Sequence, residues 1–205
     1  MAYTMKKVNL LLVAALSVVL WQSCGGQKDS KAQADSANKS KDTTTLPMAA
    51  DSQKTGSAAI EVNQNDAKFA TAALAGGMTE VALSKLAQQK ATDARIKNFA
   101  AMMVTDHGKA GQELESLARK LRIDLPNALD NDGQKKLKDL TAKSGADFDK
   151  AYVSVMVSDH KDAAKLFEDG EKNCKDADLE KFAANTVVVI KKHLTEIEAI
   201  QKGMK

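Results

Sequence analysis

From about residue 63 to residue 202 apolar side chains recur every three or four positions in a background of Ala, Lys, Glu and Gln. This is the period of helices that bury one face. The first long helix is predicted to begin at Asn65-Asp66, to turn Phe69, Ala73, Leu74, Val81, Leu83 and Leu86 inward, and to end near Lys90. Its Gly76-Gly77 pair costs about 1 kcal/mol per residue relative to Ala in a helix interior, so either a neighbour approaches the backbone there or the helix bends. A second helix, capped by Thr92 or Asp93, carries Ile96, Phe99, Met102, Met103, Leu114 and Leu117 to about Arg122. It must stop before Pro126, which disfavours helical geometry in the residue ahead of it. A short helix over about 133–142, with Leu137 and Leu140, fills the connection that follows. Ser144-Gly145-Ala146-Asp147 has the form of a capping box and opens a third long helix through Phe148, Tyr152, Met156, Leu166 and Phe167. After a polar break at 174–176 the last helix presents Leu179, Phe182, Val189, Ile190, Leu194, Ile197 and Ile200. The fold class is therefore all-α: a four-helix bundle over 63–203, with one short extra helix between the second and third long ones.

The first 62 residues follow another pattern. Lys6-Lys7 precedes an apolar run over 8–21, interrupted by Asn9 and Ser17 and followed by small and polar residues. That order is the order of an export signal, and the run falls short of the roughly 20 apolar residues of a membrane-spanning helix. Leu20-Trp21-Gln22-Ser23-Cys24-Gly25 resembles a bacterial lipobox, in which the cysteine is lipidated and becomes the mature N-terminus. Trp21 and Gln22 depart from the strict pattern, and either Met1 or Met5 could open the signal. The expected organisation is a signal peptide over 1–23 and a lipidated Cys24 leading a flexible linker over 24–62. From 25 to 60 there is almost no large apolar residue, too little to order a segment by burial. As a flexible coil that linker would span about 30–35 Å. The product is expected to be exported and held by its lipid at the periplasmic face of a membrane or at the cell surface, with the outer membrane as the expected location.

Charge narrows the partners. Thirty basic and 27 acidic residues give a net charge of +3, with no basic field for nucleic acid. Besides Cys24 the chain has one cysteine, Cys174. With Cys24 lipidated no intramolecular disulfide forms, and Cys174 lies in a polar stretch with no histidine near it to activate its thiol.

The three histidines carry the candidate chemistry. Met103-Val104-Thr105-Asp106-His107 recurs as Met156-Val157-Ser158-Asp159-His160, so two long helices present Asp-His at the same place. His107 shares its face with Met103 and Leu114, and His160 with Met156 and Phe167, while Gly111 and Ala164 leave space one turn on. His193 stands among Val189, Ile190, Ile197 and Ile200. Glu80 lies on a small-residue apolar face with Ala73, Gly76, Gly77, Leu83 and Ala87, a costly place for an unpaired carboxylate. Each long helix thus turns one polar residue inward: Glu80, His107, His160 and His193. Imidazole and carboxylate converging inside a bundle suit a transition metal ion, with zinc, iron and copper not separated by these side chains. The same four residues could instead form a buried polar network. Asp106 and Asp159 lie about 100° around their helices from the adjacent histidines, so they would orient an imidazole of a neighbouring helix or remain solvated. Glu115 and Glu168, eight residues beyond His107 and His160, are expected at the surface. Met78, Met102, Met103 and Met156 read as core, with a methionine-lined copper site as the alternative.

Gly76-Gly77-Met78-Thr79-Glu80-Val81, the two Met-Val-(Thr/Ser)-Asp-His motifs, the stretch Ser144-Gly145-Ala146-Asp147-Phe148-Asp149-Lys150-Ala151-Tyr152 and His193-Leu194 together resemble the DUF4142 domain over about 64–201. The resemblance implies a ferritin-like four-helix bundle of the bacterial envelope and assigns no activity. It also marks a departure: ferritin-like di-iron proteins carry Glu-x-x-His on two helices, and here Val104 and Val157 stand three residues before the histidines. A mononuclear site fits the donor count better than a di-iron oxidase site. Two functions compete: a lipid-anchored bundle that binds a transition metal through Glu80, His107, His160 and His193, and a structural or protein-interaction module of the envelope built on a buried His/Glu network. An oxidoreductase is a third, for which the sequence shows no open coordination position, and no catalytic residue is assigned.

Overall fold

The structure, a computed structural model, describes residues 29–41 and 62–204. Six helices account for nearly all of them: α1 (Ser30–Ser40), α2 (Gln64–Lys90), α3 (Ala94–Leu121), α4 (Asn131–Thr141), α5 (Gly145–Asn173) and α6 (Ala177–Lys202). No strand occurs among the described residues. The four long helices form a ring in which α2 packs on α3, α3 on α6, α6 on α5 and α5 on α2, with α4 laid across α2 in the connection between α3 and α5. None of the described helices is long and apolar enough to cross a membrane.

Side-chain caps set most helix starts. Asn63 Oδ1 accepts from the amides of Asn65 and Asp66, so α2 starts just ahead of the expected Asn65-Asp66 pair. Asp93 caps α3, Asp130 caps α4 and Asp176 caps α6, each satisfying amides that the first turn leaves without a partner. Ser144 departs from expectation: it precedes α5 in extended geometry but makes no capping bond. The turn there depends on Gly145, whose φ of +56° is a region that glycine enters without steric penalty.

Two buried carboxylates lock the loops. Asp149 of α5 accepts from the amides of Thr92 and Asp93 and from the Thr92 hydroxyl, clamping the α2–α3 turn. At the other end Asp66 of α2 accepts from the amides of Lys175 and Asp176 in the α5–α6 turn, at 2.6 and 3.1 Å. Gly133 and Gly170 permit close approach, because a Cβ would fall 2.3 Å from Thr79 Oγ1 and 2.5 Å from the Phe69 ring.

The core divides in two. One apolar cluster gathers Phe69, Leu74, Leu114, Phe167, Phe182 and Ile190, and the other Leu83, Phe99, Met103, Met156 and Ile197. Along every long helix the inward polar residue falls between them: Glu80 between Leu74 and Leu83, His107 between Met103 and Leu114, His160 between Met156 and Phe167, His193 between Ile190 and Ile197. The functional candidates thus form one polar layer across the middle of an otherwise apolar bundle.

Three expectations need correction. Val189 is 40 % exposed and Val187 is the buried member of that run. Nothing approaches Gly76, where a Cβ would meet no atom within 4 Å. The flexible linker expected over 24–62 does not hold over 30–40, where α1 is helical and docked on α2. Composition fails there because the docking is polar. Asn38, buried, donates to the carbonyl of Asp124 and accepts from its amide at 2.8 and 2.7 Å. Ser30 Oγ accepts from the amides of Asn127 and Ala128, the Thr71 hydroxyl donates to Asp35, and Asp29 accepts from the amide of Asn131. Cys24, the signal over 1–23 and the rest of the expected linker lie outside the described residues.

Candidate metal centre

Glu80 of α2, His107 of α3, His160 of α5 and His193 of α6 meet in the polar layer. Glu80, His160 and His193 are all but fully buried and the His107 side chain is 11 % exposed. The three rings form a nearly equilateral triangle, with centroids 5.4, 5.7 and 5.8 Å apart. One nitrogen from each lies within 4.8 Å of the other two. Phe99 closes the layer on one side, 6.1 Å from the His160 ring and 6.3 Å from that of His193.

Hydrogen bonds orient the rings. His160 Nδ1 donates to the carbonyl of Met156, one turn back, at 2.9 Å. That leaves Nε2 with a free lone pair, and it is buried without a partner. His193 donates from Nε2 to Asp106 Oδ2 at 3.0 Å, which leaves Nδ1 buried and unpartnered in the same way. An outer acceptor that fixes the tautomer and frees the inner nitrogen is the arrangement of metal-ligating histidines. Glu80 lies between the other two: Oε2 is 3.0 Å from His107 Nδ1 and Oε1 3.2 Å from His160 Nδ1. The His160 proton is already given to Met156, so Oε1 makes no hydrogen bond.

Burial and the neighbouring charges pull against each other at all four residues. Burial works against ionised Glu80, but His107, by field and hydrogen bond, and the fields of His160 and His193 hold its carboxyl below the usual carboxylate range. Burial also opposes a charge on His107, yet Glu80 and Asp106 raise its pKa above the ordinary histidine value. Burial, with His107 adding repulsion, lowers the pKa of His160. Burial lowers that of His193 too, against its bond to Asp106.

Asp159 takes no part in orienting a ring. It pairs with Lys136 of α4 at 2.9 Å, and burial pushes its carboxyl up. The repeated motif is therefore not equivalent in its two copies: α3 faces α6, whereas α5 has α4 across its outer side. Sequence reasoning also missed the pair formed by the Ser84 and Tyr152 hydroxyls, 2.9 Å apart and buried one turn beyond Glu80. Glu115 and Glu168 pair with Arg119 and Lys191 at the surface. Met103 and Met156 are buried in the core, with Met78 and Met102 partly buried against it. The Cys174 thiol is buried and its pKa is raised to about 12 by burial and the nearby carboxylates of Asp66 and Asp176, so it is not a nucleophile at neutral pH.

Fold and site together define an all-helical bundle with a His/carboxylate cluster across its core. Residues 50–200 match the family described as "Domain of unknown function (DUF4142)", and the chain belongs to it. Among solved structures it is similar to a DUF305 fragment from Deinococcus radiodurans, at 9 % identity and a TM-score of 0.62 over 69 % of this chain and 97 % of that one. It is also similar to CopM in a Cu(II)-bound form, at 14 % identity and a TM-score of 0.59 over 68 % and 97 % of the two chains. The Ag-bound form of CopM matches at 16 % identity and a TM-score of 0.57 over 67 % and 96 %. These likenesses are likenesses of fold. No curated protein matches the chain.

Proposed function

We propose that the bundle binds one transition metal ion in its polar layer, with His107, His160 and His193 as nitrogen ligands and Glu80 as a carboxylate ligand. The observation that carries this reading is the pair of buried, unpartnered ring nitrogens, His160 Nε2 and His193 Nδ1, each freed by a hydrogen bond on the far side of its ring. A self-contained polar network would leave no such atoms, since a buried group without a partner costs about 1–3 kcal/mol. The three ring nitrogens lie close enough to share an ion, and Glu80 would join them from beside His107. Ligand nitrogens about 2.0–2.1 Å from a tetrahedral metal are roughly 3.3 Å apart, so the rings need to close by only about 1–1.5 Å. Three imidazoles and a carboxylate suit Cu(II) and Zn(II), and the copper- and silver-bound forms of CopM make copper the first metal to test. The metal would supply either a tightly held cargo or a Lewis-acidic or redox centre, while the chain's own part is to hold the rings in one tautomer.

This binding belongs to an exported protein anchored by a lipid on Cys24. The docked α1 changes what that anchor does: only residues 25–28 separate Cys24 from Asp29, a reach of about 18 Å at full extension. The bundle would then be held close to the membrane rather than on a long tether.

Metal content of full-length protein isolated from the cell envelope tests the site. About one metal per chain, lost in the His107→Ala/His160→Ala variant, supports it. Metal-free protein whose melting temperature is unmoved by copper, zinc or iron overturns it, because a ligand of the native state must raise that temperature. Replacing Cys24 with Ser should release the folded protein from membranes, and continued membrane association would overturn the lipid anchor.

A further inference from the structure

An ion bound in the polar layer needs a way in, because most of the layer is sealed from solvent. Each of the two deeper rings has its outer nitrogen engaged: His160 Nδ1 by the Met156 carbonyl and His193 Nε2 by Asp106. Their other nitrogens are buried without a partner. Phe99 stands beside both rings, at 6.1 and 6.3 Å. An ion approaching past either ring therefore meets an occupied nitrogen or an apolar wall. His107 differs, since its side chain keeps 11 % of its surface, against 0 and 1 % for His160 and His193.

His107 lines a cavity of about 760 Å³ that opens to solvent, as does Glu80, whereas neither His160 nor His193 reaches it. Glycines of α2 and α3 leave this approach clear. A Cβ on Gly76 or Gly108, both lining the cavity, would meet nothing within 4 Å, and one on Gly77 would come 3.9 Å from His107 Nδ1. A larger side chain at 77 would lie against the ring, and glycine leaves it bare. The charged walls present no barrier to a cation: Asp130, Asp132, Asp159 and Asp162 stand against Lys85 and Lys136. Lys136 is itself held by Asp132 and Asp159, at 2.8 and 2.9 Å. A negative balance in a cleft raises the local concentration of cations.

We propose that the metal ion enters through this cavity, is taken first by His107, and passes from there to the buried nitrogens of His160 and His193. The proposal rests on the metal reading above and adds its route. His107 and Glu80, 3.0 Å apart, stand at the inner end of that route, so their pair must part as the ion arrives. A route governs rates and leaves affinity alone. Narrowing it raises the barrier to entry and to exit by the same amount, because the free and bound end states do not change. Altering a ligand would instead change the ratio of the two rates.

Stopped-flow mixing of metal-free full chain with Cu(II), and of the loaded chain with excess chelator, reads the two rates. In Gly76→Leu/Gly108→Leu both should fall by roughly 10-fold or more, with the affinity within about twofold of the parent. Gly108→Leu alone should slow both by a smaller, equal factor. Leucine is the better helix former at both positions, so each variant should melt at or above the parent, which confirms that it is folded. Unchanged rates in the folded variants would overturn the route. Slower uptake with unchanged release would also overturn it, because the substitutions would then act on the bound state. Parent protein that takes up no copper, zinc or iron would overturn the metal reading and the route together. Parent protein that takes up copper while the double variant takes it up equally fast would leave the metal reading standing and remove the route alone.

Discussion

Asp106 on α3 holds His193 on α6 across the bundle, with Oδ2 3.0 Å from Nε2. The carboxylate is partly exposed and the ring is buried, so the bond joins the surface of one helix to the interior of the layer. Asp106 hydrogen-bonds no other histidine, so it sets the orientation and tautomer of His193 while reaching His107 only through its field.

Asp106→Ala should therefore lower metal affinity by about 10–100-fold, the usual effect of losing the group that orients a ligating histidine. Asp106→Asn keeps an acceptor and should cost less. Competition titrations with a chelator of known affinity would read the difference. Equal affinity in parent and Asp106→Ala protein would remove Asp106 from the site.

The metal-free protein should lose stability as the pH falls from 6.5 toward 5. His160 and His193 have pKa values lowered by burial, so in this range the unfolded chain takes up their protons and the folded one resists. Each contributes up to about 1.4 kcal/mol per pH unit. His107 has the opposite sign: its raised pKa contributes stability that is complete below 6.5 and lost as pH rises through the folded value. It therefore does not offset the loss at lower pH. Glu80, with a lowered pKa, adds its own loss only below about 4.5, and Asp159, with a raised one, works the other way near the carboxylate range. Urea unfolding of chelator-treated protein at pH 6.5 and 5.5 measures the slope. A stability that is flat across this range would show that the two rings are already charged when folded.

The helical period showed where the long helices lie and which residue on each turns inward, because a 3.6-residue repeat reports a helix face directly. It could not show that Asp106 and Asp159 differ. Both follow the same motif, and only the packing of α3 on α6 and of α4 outside α5 separates a ring-orienting carboxylate from one paired with Lys136. The Gly76 site was visible as an anomaly, but whether a neighbour or open space faced it is a property of the assembled bundle. Composition misjudged α1 because it measures apolar burial, whereas Asn38 docks by pairing with the backbone of Asp124, far away in sequence.

Asp149 anchors the α2–α3 turn through the amides of Thr92 and Asp93 and the Thr92 hydroxyl. Asp149→Ala would remove the acceptor of those part-buried donors and should destabilise the protein by about 1–3 kcal/mol. Asp149→Asn keeps acceptor oxygen but loses the charge, and should cost roughly half as much. Chemical denaturation of the metal-free protein measures both. Because the clamp lies away from the polar layer, metal affinity in the still-folded variants should stay within about twofold of the parent, and a larger loss would mean that the turn and the metal site are coupled.

α1 should undock without unfolding the bundle. Its attachment rests on a few polar contacts, of which the paired bonds between Asn38 and the Asp124 backbone are the most buried. The main apolar clusters draw on α2 to α6 and their connections. Asn38→Ala removes both bonds, at a net cost of about 1–3 kcal/mol, enough to displace a helix held so lightly while leaving the larger core intact. Native-state hydrogen exchange should then show the α1 amides losing protection, with those of Phe99, Phe148 and Ile197 unchanged. The melting temperature and metal content should remain near those of the parent. If Cys24 carries the proposed lipid, this variant should also lengthen the connection from membrane to bundle, since the chain from Cys24 to Gln64 would no longer be shortened by docking at α1. Energy transfer from a dye on the bundle to a membrane-bound acceptor would fall accordingly. If α1 kept its protection in Asn38→Ala, the apolar contact of Ala34 and the bonds of Ser30 and Asp35 would be sufficient to hold it without Asn38.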